Sequence, residues 1–282
     1  MKLSIITVNL NNREGLQKTI DSVVSQTFKD FEWIVIDGGS TDGSKELIEQ
    51  YADHFAYWVS EPDKGIYNAM NKGIKVAKGE YLQFLNSGDW LWEKKTLEKV
   101  FRENREEDVL YGNFVFRGQL YVTPYKLNTS HVYGSALNHQ ATFIRRSLFG
   151  TECYDEDYVI VSDWKFFLQK LVLGKSSNSK VDASIVGIEE GHSYDTTIID
   201  KERDQVMDVL FSPMLRATIE EDSAAQESTM KNYYYYIEQN KSLQKKVRRI
   251  VNIHRQSPIK YFAKSIYSHF LSFVNHSLWN RH

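Results

Sequence analysis

The chain has 282 residues, of which 35 are Lys or Arg and 37 are Asp or Glu, and it contains one cysteine, Cys153. A single cysteine excludes an intramolecular disulfide framework and a cysteine-rich zinc site. No apolar run reaches the roughly 18 residues of a membrane-spanning helix, and the apolar stretch at the N-terminus is too short for a signal peptide. We therefore expect a cytoplasmic protein with one α/β domain and an appendage, or with two small domains.

The first 90 residues alternate between segments typical of strands and segments typical of helices. Short apolar runs predict strands at Leu3–Val8, Phe31–Ile36, Ala56–Val59 and Tyr81–Leu85. Apolar residues at helical spacing predict the intervening helices at Gly15–Gln26, Lys45–Tyr51 and Ile66–Ala77. This alternation predicts a Rossmann-like α/β fold with a mostly parallel sheet and helices on both faces, in which ligands bind at the carboxyl ends of the strands.

The pattern changes in the second half of the chain, where the helical signal is weaker. Strands are predicted at Tyr111–Phe116, Gln119–Val122 and Ser184–Ile188, and a helix at Asp163–Leu173. Residues 200–228 are predicted to be helical and acidic.

Charge is divided unevenly along the chain. Residues 229–282 contain ten basic residues and one acidic residue, Glu238, a net charge of +9, which leaves −11 for residues 1–228. After Pro258, apolar residues recur every three or four positions, which predicts a basic amphipathic helix as a C-terminal appendage. Such a helix can bind an anionic membrane surface, or it can pack on the acidic body or on a second subunit of a homo-oligomer.

Polar clusters follow two of the predicted strands. Asp37–Ser44 (DGGSTDGS) follows the second strand, where the Asp37 carboxylate is placed to accept hydrogen bonds from a nucleobase or ribose; the alternative is a tight turn that caps the next helix. Asn86–Asp89 (NSGD) follows the fourth strand, where Asp89 suits a divalent cation that also binds substrate phosphates; the alternative is a type I turn. Neither cluster has the glycine pattern of a kinase-type or dinucleotide-binding loop.

The stretch Ser60–Ile74 contains a charged turn that runs into a helix. Within that helix lie Asn68, Asn71 and Gly73, which are poor helix formers. Something other than helix propensity therefore keeps them there. One explanation is ligand binding, and the other is close packing at Gly73 with Asp63 as the helix cap.

Five segments of the chain carry a specific pattern: Ser4–Asn9, Asp37–Ser44, Glu61–Ile74, Lys78–Tyr81 and Leu85–Asp89. In order and spacing they resemble the nucleotide-sugar half of inverting family 2 glycosyltransferases with the GT-A fold. The resemblance is strongest to the branch that builds bacterial surface polysaccharides, including colanic-acid-type enzymes. It implies a nucleotide-sugar part at 1–110 and an acceptor part at 111–198 of one domain. It does not extend to the acidic helical segment at 199–228 or to the basic tail at 229–282, which the charge pattern sets apart.

The resemblance implies a donor side and a metal site. The residues expected to bind the nucleotide sugar are Thr7, Asn9, Asp37, Ser40, Asp63, Lys64, Asn86 and Ser87. Asn86–Asp89 falls where the family has its D-x-D element, but only Asp89 is acidic. Asp89 is therefore expected to be the principal protein ligand of Mn²⁺ or Mg²⁺, with the nucleotide diphosphate completing the shell. Action without a metal stays open.

The resemblance also implies a general base. Asp163, within Val161–Trp164, matches the residue that takes the proton of the acceptor hydroxyl in this family. Its place beside apolar Trp164 is expected to raise its pKa by desolvation. The alternative is that Asp163 only caps its helix.

Three further residues are expected to line the acceptor pocket: His139, Gln140 and Trp164. His139 and Gln140 belong to His139–Phe143, which is similar to an acceptor-side element of the family. A structural role for His139 is the alternative. His192 is a candidate contact to the metal or the diphosphate.

The resemblance implies an inverting, metal-dependent, hexosyl-type glycosyltransferase. It would move a sugar from a nucleotide donor, with a UDP-sugar favoured, to a glycan or a polyprenyl-diphosphate-linked acceptor in bacterial surface polysaccharide synthesis. It would act in the cytoplasm or peripherally on the inner face of the cell membrane, without nucleic acid as a partner. Two alternatives stay open: a nucleotide-sugar-binding protein with weakened catalysis, which the incomplete acidic element favours, and a nucleotidyltransferase.

Overall fold

The computed structural model of the chain describes residues 1–134, 137–150, 153–174, 176–189 and 196–225. The predicted basic amphipathic segment at 229–282 and the candidate residue His192 lie outside the described residues. Within the described part, no helix is both long and apolar enough to cross a membrane.

One sheet contains all nine strands of the described residues. The strands are β1 (Leu3–Asn9), β2 (Phe31–Asp37), β3 (Tyr57–Ser60), β4 (Tyr81–Phe84), β5 (Trp90–Leu91), β6 (Val109–Phe116), β7 (Gln119–Tyr121), β8 (Thr142–Arg145) and β9 (Asn178–Ile188). Their order is β3-β2-β1-β4-β8-β6-β9-β5, with β7 paired to β6.

The direction of the strands confirms the predicted, mostly parallel sheet. β1 to β4 pair in parallel, and so do β6 and β9. Since β8 lies antiparallel between β4 and β6, β6 and β9 run in the same direction as the first four strands. Among the described strands, β5, β7 and β8 run against that direction.

Helices cover both faces of this sheet, as predicted. They are α1 (Arg13–Val24), α2 (Ser44–Gln50), α3 (Ile66–Val76), α4 (Thr96–Phe101), α5 (Thr129–Gly134), α6 (Ser162–Phe167) and α7 (Thr196–Leu210), followed by a helix over 213–225. Neighbouring residues of a strand point to opposite faces. On β1, Ile5 packs with apolar residues of α1, α2 and α4, whereas Ile6 packs with those of α3, α6 and α7.

The predicted elements of the first 90 residues lie within two residues of their observed bounds, but the second half departs further from prediction. The helix expected at Asp163–Leu173 is α-helical only to Phe167 and π-helical over Leu168–Leu173. β9 begins at Asn178 rather than at Ser184. β5, β8, α4 and α5 were not predicted, because elements of two to six residues are too short to show a period.

The poor helix formers in α3 have structural partners. A Cβ on Gly73 would lie 2.5 Å from Cγ2 of Ile6 on β1, so only glycine lets the helix pack this close to the sheet. Asn71 donates from Nδ2 to the carbonyl of Tyr154 at 2.8 Å and accepts that residue's N–H at 2.9 Å. Asp63 does not cap α3, because its carboxylate pairs with Lys72 at 2.5 Å. Close packing at Gly73 is therefore the explanation that the structure supports.

We predict that Gly73→Ala destabilises the protein by about 1–3 kcal/mol, although alanine favours a helix by about 1 kcal/mol over glycine. The reason is the collision between the new methyl group and Ile6, and the measurement is urea unfolding at equilibrium. In the background of Ile6→Ala, which removes the colliding methyl group, the cost of Gly73→Ala should be smaller. Equal costs in both backgrounds would contradict the packing explanation.

Candidate active site

The carboxyl ends of β1, β2 and β3 lie side by side at one edge of the sheet. Asn9 at the end of β1 is in register with Asp37 at the end of β2, which is in register with Ser60 at the end of β3. β4, on the other side of β1, leads directly into the turn at Asn86–Asp89. The polar residues predicted at separate strand ends therefore border one edge.

Asp37 organises this edge. Its fully buried carboxylate accepts hydrogen bonds from Asn9 Nδ2 at 2.7 Å, from the backbone N–H and hydroxyl of Ser40 at 3.0 and 2.5 Å, and from the hydroxyl of Ser60 at 2.6 Å. Burial raises the pKa of Asp37, but the hydrogen bonds from Ser40, Ser60 and Asn9 outweigh it, and the pKa lies below its usual value. Both oxygens are thus occupied within the protein, so the structure does not present this carboxylate to a nucleoside as the sequence suggested.

The side chains of Thr7 and Asn9, both predicted to bind the nucleotide sugar, are placed differently. Thr7 is fully buried, and its hydroxyl accepts the indole N–H of Trp33 at 3.0 Å. The side chain of Thr7 therefore belongs to the core, and the structure does not bring it to the site. Asn9 Oδ1, by contrast, is buried and has no hydrogen-bond partner among the described residues, so it retains an acceptor for a ligand.

The turn after β3 brings Asp63 to the same edge. A Cβ at Gly38 would lie 3.1 Å from Asp63 Oδ2 and 3.2 Å from Leu10 Cδ1, so the absence of a side chain at Gly38 lets Asp63 approach the backbone after β2 this closely. Lys72 holds the other carboxylate oxygen of Asp63 at 2.5 Å. Lys64, the next residue, is exposed. Asp63 is therefore beside the strand ends and Lys64 is on the surface close by.

The turn at Asn86–Asp89 is fixed by helix α1. Thr19 Oγ1 donates to the carbonyl of Asp89 at 2.7 Å, and Asn12 Nδ2 donates to the carbonyl of Ser87 at 3.0 Å. The N–H of Asp89 bonds to the carbonyl of Asn86 at 3.0 Å. A turn is thus present, but it is not the type I turn considered from the sequence, because Gly88 at its third position has a φ of +99°, as a type II turn requires. Its fixed backbone determines where the side chains of Asn86 and Asp89 lie.

Asp89 carries a buried carboxylate, with 3 % of the residue exposed. Burial raises the pKa of Asp89 to about 7, and the nearby His139 and a hydrogen bond from Gln140 only partly oppose this. A carboxylate in this state gains from a positive charge beside it. Asn86 Oδ1 is also buried and lacks a hydrogen-bond partner among the described residues.

These oxygens fit a hard divalent cation. Mg²⁺ and Mn²⁺ prefer oxygen ligands, and Mg²⁺ often binds through one or two carboxylates together with substrate phosphates. Among the described residues, no group of three or more His, Cys, Asp and Glu side chains could hold a metal. The donor set of Asp89 and Asn86 Oδ1 therefore suits a cation that takes its remaining ligands from a bound diphosphate.

Asp163, at the start of α6, is held by two hydrogen bonds. His139 Nδ1 lies 2.8 Å from one carboxylate oxygen, and the hydroxyl of Tyr67 lies 2.9 Å from the other. Burial raises the pKa of Asp163, but the hydrogen bond and charge of His139 and the hydrogen bond of Tyr67 outweigh it. The expectation that desolvation raises this pKa is therefore wrong: the pKa is lowered, and the carboxylate is ionised at neutral pH.

His139 and Gln140 connect the two predicted halves of the site. Since Asp163 is ionised, Nδ1 of His139 must carry the proton that it shares with that carboxylate. Nε2 of His139 is buried without a hydrogen-bond partner among the described residues. His139 and its neighbour Gln140 also lie near Asp89, where both lower the pKa of that carboxyl. His139, in the short 3-10 helix His139–Ala141, therefore lies beside Asp163 and near Asp89.

Trp164 does not line a pocket as the sequence suggested. It is 2 % exposed, and its indole N–H donates to the carbonyl of Val132 at 2.8 Å. Tyr67, in contrast, contacts Asp163 although the sequence assigned it no role. A tyrosine on the buried face of a predicted helix needs a partner for its hydroxyl, and that was the signal available in the sequence.

Solved structures share this fold. S. aureus TarS 1–349 in complex with UDP-GlcNAc superimposes with a TM-score of 0.62 and 17 % identity, covering 79 % of this chain and 72 % of TarS 1–349. The mannosyltransferase PcManGT from Pyrobaculum calidifontis, in complex with GDP-Man and Mn²⁺, gives a TM-score of 0.57 and 12 % identity, covering 100 % of this chain and 88 % of PcManGT. The fold is the GT-A fold of glycosyltransferases, as expected.

Sequence similarity identifies the family. The model of glycosyl transferase family 2 matches residues 4–161. The chain is 31 % identical over 217 residues to the PGL/p-HBAD biosynthesis glycosyltransferase of Mycobacterium tuberculosis, covering 71 % of this chain and 81 % of that protein. The chain therefore belongs to glycosyl transferase family 2.

We predict that Asp37→Asn lowers the free energy of unfolding by about 3 kcal/mol at pH 7, because an amide cannot replace a buried carboxylate that accepts four hydrogen bonds. A lowered pKa adds stability above the value of the unfolded chain, near 3.8, and this stability is lost as the pH falls through the lower folded value. The difference between variant and wild type should therefore shrink below about pH 4.

The measurement is urea unfolding at pH 7 and at pH 3.5. Asp53→Asn, on an exposed position, is the control and should change the free energy by less than about 0.5 kcal/mol. A loss for Asp37→Asn that is the same at both pH values would show that the charge of Asp37 does not stabilise the edge.

Proposed function

We propose that this glycosyltransferase moves a hexose-type sugar from a nucleotide-diphosphate sugar to the hydroxyl of an acceptor, with inversion at the anomeric carbon. The observation that carries the proposal is that Asp163 bonds to His139 and that Asp89 lies near the same residue. One carboxylate is buried and suited to a cation, and the other is ionised and suited to take a proton. Inverting transfer needs both functions next to one reacting carbon.

On the donor side, we propose that Asn9, Ser40, Asp63 and Lys64 bind the nucleoside diphosphate, together with Asn86 and Ser87. The unpartnered Asn9 Oδ1 and the position of Asp63 beside the strand ends support this assignment. A UDP-sugar is favoured because TarS, which shares the fold, binds UDP-GlcNAc. PcManGT binds GDP-Man, which makes GDP-sugars the comparison to test.

We propose that Asp89 holds Mn²⁺ or Mg²⁺, with Asn86 Oδ1 as a second oxygen donor. Such a cation offsets the negative charge that develops on the leaving diphosphate. The burial of both oxygens supports this role, and so does the Mn²⁺ in PcManGT. Thr19 and Asn12 keep the turn fixed, so the carboxylate requires little reorganisation on binding.

On the acceptor side, the carboxylate of Asp163 takes the proton of the acceptor hydroxyl as that oxygen bonds to the anomeric carbon and the bond to the diphosphate breaks. His139 and Tyr67 hold the carboxylate ionised and oriented. Burial and the charge of Asp163 raise the pKa of Tyr67, so its hydroxyl keeps its proton and remains a donor. His139 and Gln140 are proposed to border the acceptor, whereas Trp164 lies in the core.

The acceptor and cellular context are proposals from the sequence resemblance. We propose a glycan or a polyprenyl-diphosphate-linked acceptor in bacterial surface polysaccharide synthesis, and a cytoplasmic enzyme that associates with the inner face of the membrane through residues 229–282. A catalytically weakened nucleotide-sugar-binding protein is the second candidate, since Asp89 is the single acidic residue of Asn86–Asp89. UDP-sugars with Mn²⁺ would raise the melting temperature of such a binder, but it would release no sugar.

We predict that Asp163→Asn lowers the transfer rate by about 10²- to 10⁴-fold, because the amide has no basic oxygen for the acceptor proton. Donor affinity should not change, since the donor residues lie on other elements. The measurements are UDP release in the presence of acceptor and calorimetric titration with UDP and Mn²⁺. Asp157→Asn, an exposed residue of the loop before α6, is the matched control. Wild-type turnover in Asp163→Asn would reject the assignment of the base.

We predict that UDP and Mn²⁺ together raise the melting temperature of the wild type more than either alone, and that Asp89→Asn loses this synergy because a neutral amide is a poor cation ligand. Without ligands, the variant should melt at or above the wild-type temperature at pH 8, since it removes a buried charge. That result separates lost binding from unfolding. A variant that keeps the full synergy would refute the role of Asp89.

A further inference from the structure

Helix α7 places a buried carboxylate against the backbone of the segment 159–161. Glu202 is 6 % exposed. Its oxygens accept the backbone N–H of Val159 at 2.6 Å, of Ile160 at 2.9 Å and of Val161 at 3.2 Å. Three consecutive N–H groups directed at one carboxylate fix the conformation of this segment, because hydrogen bonds to a charged acceptor are stronger than neutral ones.

The segment 159–161 directly precedes the residues proposed to take the acceptor proton. Val161 is the residue that caps α6, and its carbonyl accepts the N–H of Lys165 at 2.9 Å. The carbonyl of Ile160 lies 2.5 Å from the hydroxyl of Tyr67, which is also 2.9 Å from Asp163. A shift of this segment would therefore move both Asp163 and one of its hydrogen-bond partners.

Arg203, the residue that follows Glu202 on α7, contacts helix α6 at a second place. The guanidinium of Arg203 lies 4.5 Å from the ring centroid of Trp164, and it donates to the carbonyl of Tyr133 at 3.0 Å. Adjacent residues of α7 thus contact the backbone before Asp163 and the side chain after it. Both lie beyond residues 4–161, the part of the chain that the family model matches.

We propose that Glu202 is a positioning residue for the transfer reaction: it fixes segment 159–161 so that the Asp163 carboxylate meets the acceptor hydroxyl. This inference rests on the proposed function, in which Asp163 takes the acceptor proton. Glu202 acts through the backbone and does not touch substrate. Displacement of a reacting group by about 1 Å is enough to lower the rate by about 100-fold. Loss of the Glu202 contact is therefore expected to have a measurable effect on the transfer rate, although Glu202 does not touch the substrate.

The test is Glu202→Gln, which keeps the shape of the side chain but replaces one acceptor oxygen with an N–H donor that faces a backbone N–H. We expect kcat to fall by about 10- to 100-fold, with no change in the KM for the donor. Asp200→Asn, exposed on the same helix, makes the same change of charge and should keep wild-type kcat. A wild-type kcat in Glu202→Gln, or a fall equal to that of Asp200→Asn, would overturn the proposal.

Hydrogen exchange of the amides of residues 159–161 provides a readout that needs no substrate. Glu202→Gln should speed this exchange, whereas Asp163→Asn should leave it unchanged. If Glu202→Gln does not fold, Glu202→Asp, which withdraws the charge by one methylene, is measured in its place with the same expectations. Unchanged exchange overturns the proposal. Wild-type turnover in Asp163→Asn together with fast exchange in the Glu202 variant would instead reject the assigned base, while the contact of Glu202 would stand.

Discussion

The hydrogen bonds to Asp163 join the parts of this protein that are distant in sequence. His139 comes from the short helix before β8, Tyr67 from α3 in the nucleotide half, and Asp163 itself from α6. Each of these elements also packs on the sheet, so the carboxylate has one position relative to the strand ends. His139 also lies near Asp89, so one short helix borders both carboxylates.

Two buried aspartates, Asp37 and Asp89, and the half-buried Asp163 show how surroundings give one residue type different properties. Asp37 accepts four hydrogen bonds from Asn9, Ser40 and Ser60, which occupy both of its oxygens. Asp163 accepts two and stays ionised beside His139. For Asp89, burial outweighs the hydrogen bond from Gln140 and the nearby His139, and it raises the pKa to about 7. The carboxylate with the least compensation for its buried charge is the one suited to a cation.

The structure brings some of the predicted site residues to the carboxyl edge of the sheet and leaves the side chains of others in the core. Asn9, Asp63 and Asn86–Asp89 lie at the edge where strand–helix alternation placed them. Thr7 and Trp164 have the expected residue types at the expected positions, but their side chains belong to the core. A sequence pattern gives the position of a residue along a strand or helix. Whether its side chain faces a ligand depends on which face of the sheet the residue points to, or on how the helix is rotated about its axis.

The sequence by itself determined the family, the order of strands and helices in the first 90 residues, and the carboxyl edge of the sheet as the place where the polar residues of several strand ends meet. These follow from local periodicity and from motifs a few residues long. Only the tertiary structure decided that hydrogen bonds within the protein occupy both carboxylate oxygens of Asp37. The same is true of the lowered pKa of Asp163 and of the hydrogen bonds by which Glu202 holds the segment before Asp163. Each of these depends on contacts between residues 20 to 100 positions apart, such as Asp37 with Ser60 and Tyr67 with Asp163. Hydrogen bonds over such distances are fixed by packing, which no local pattern encodes.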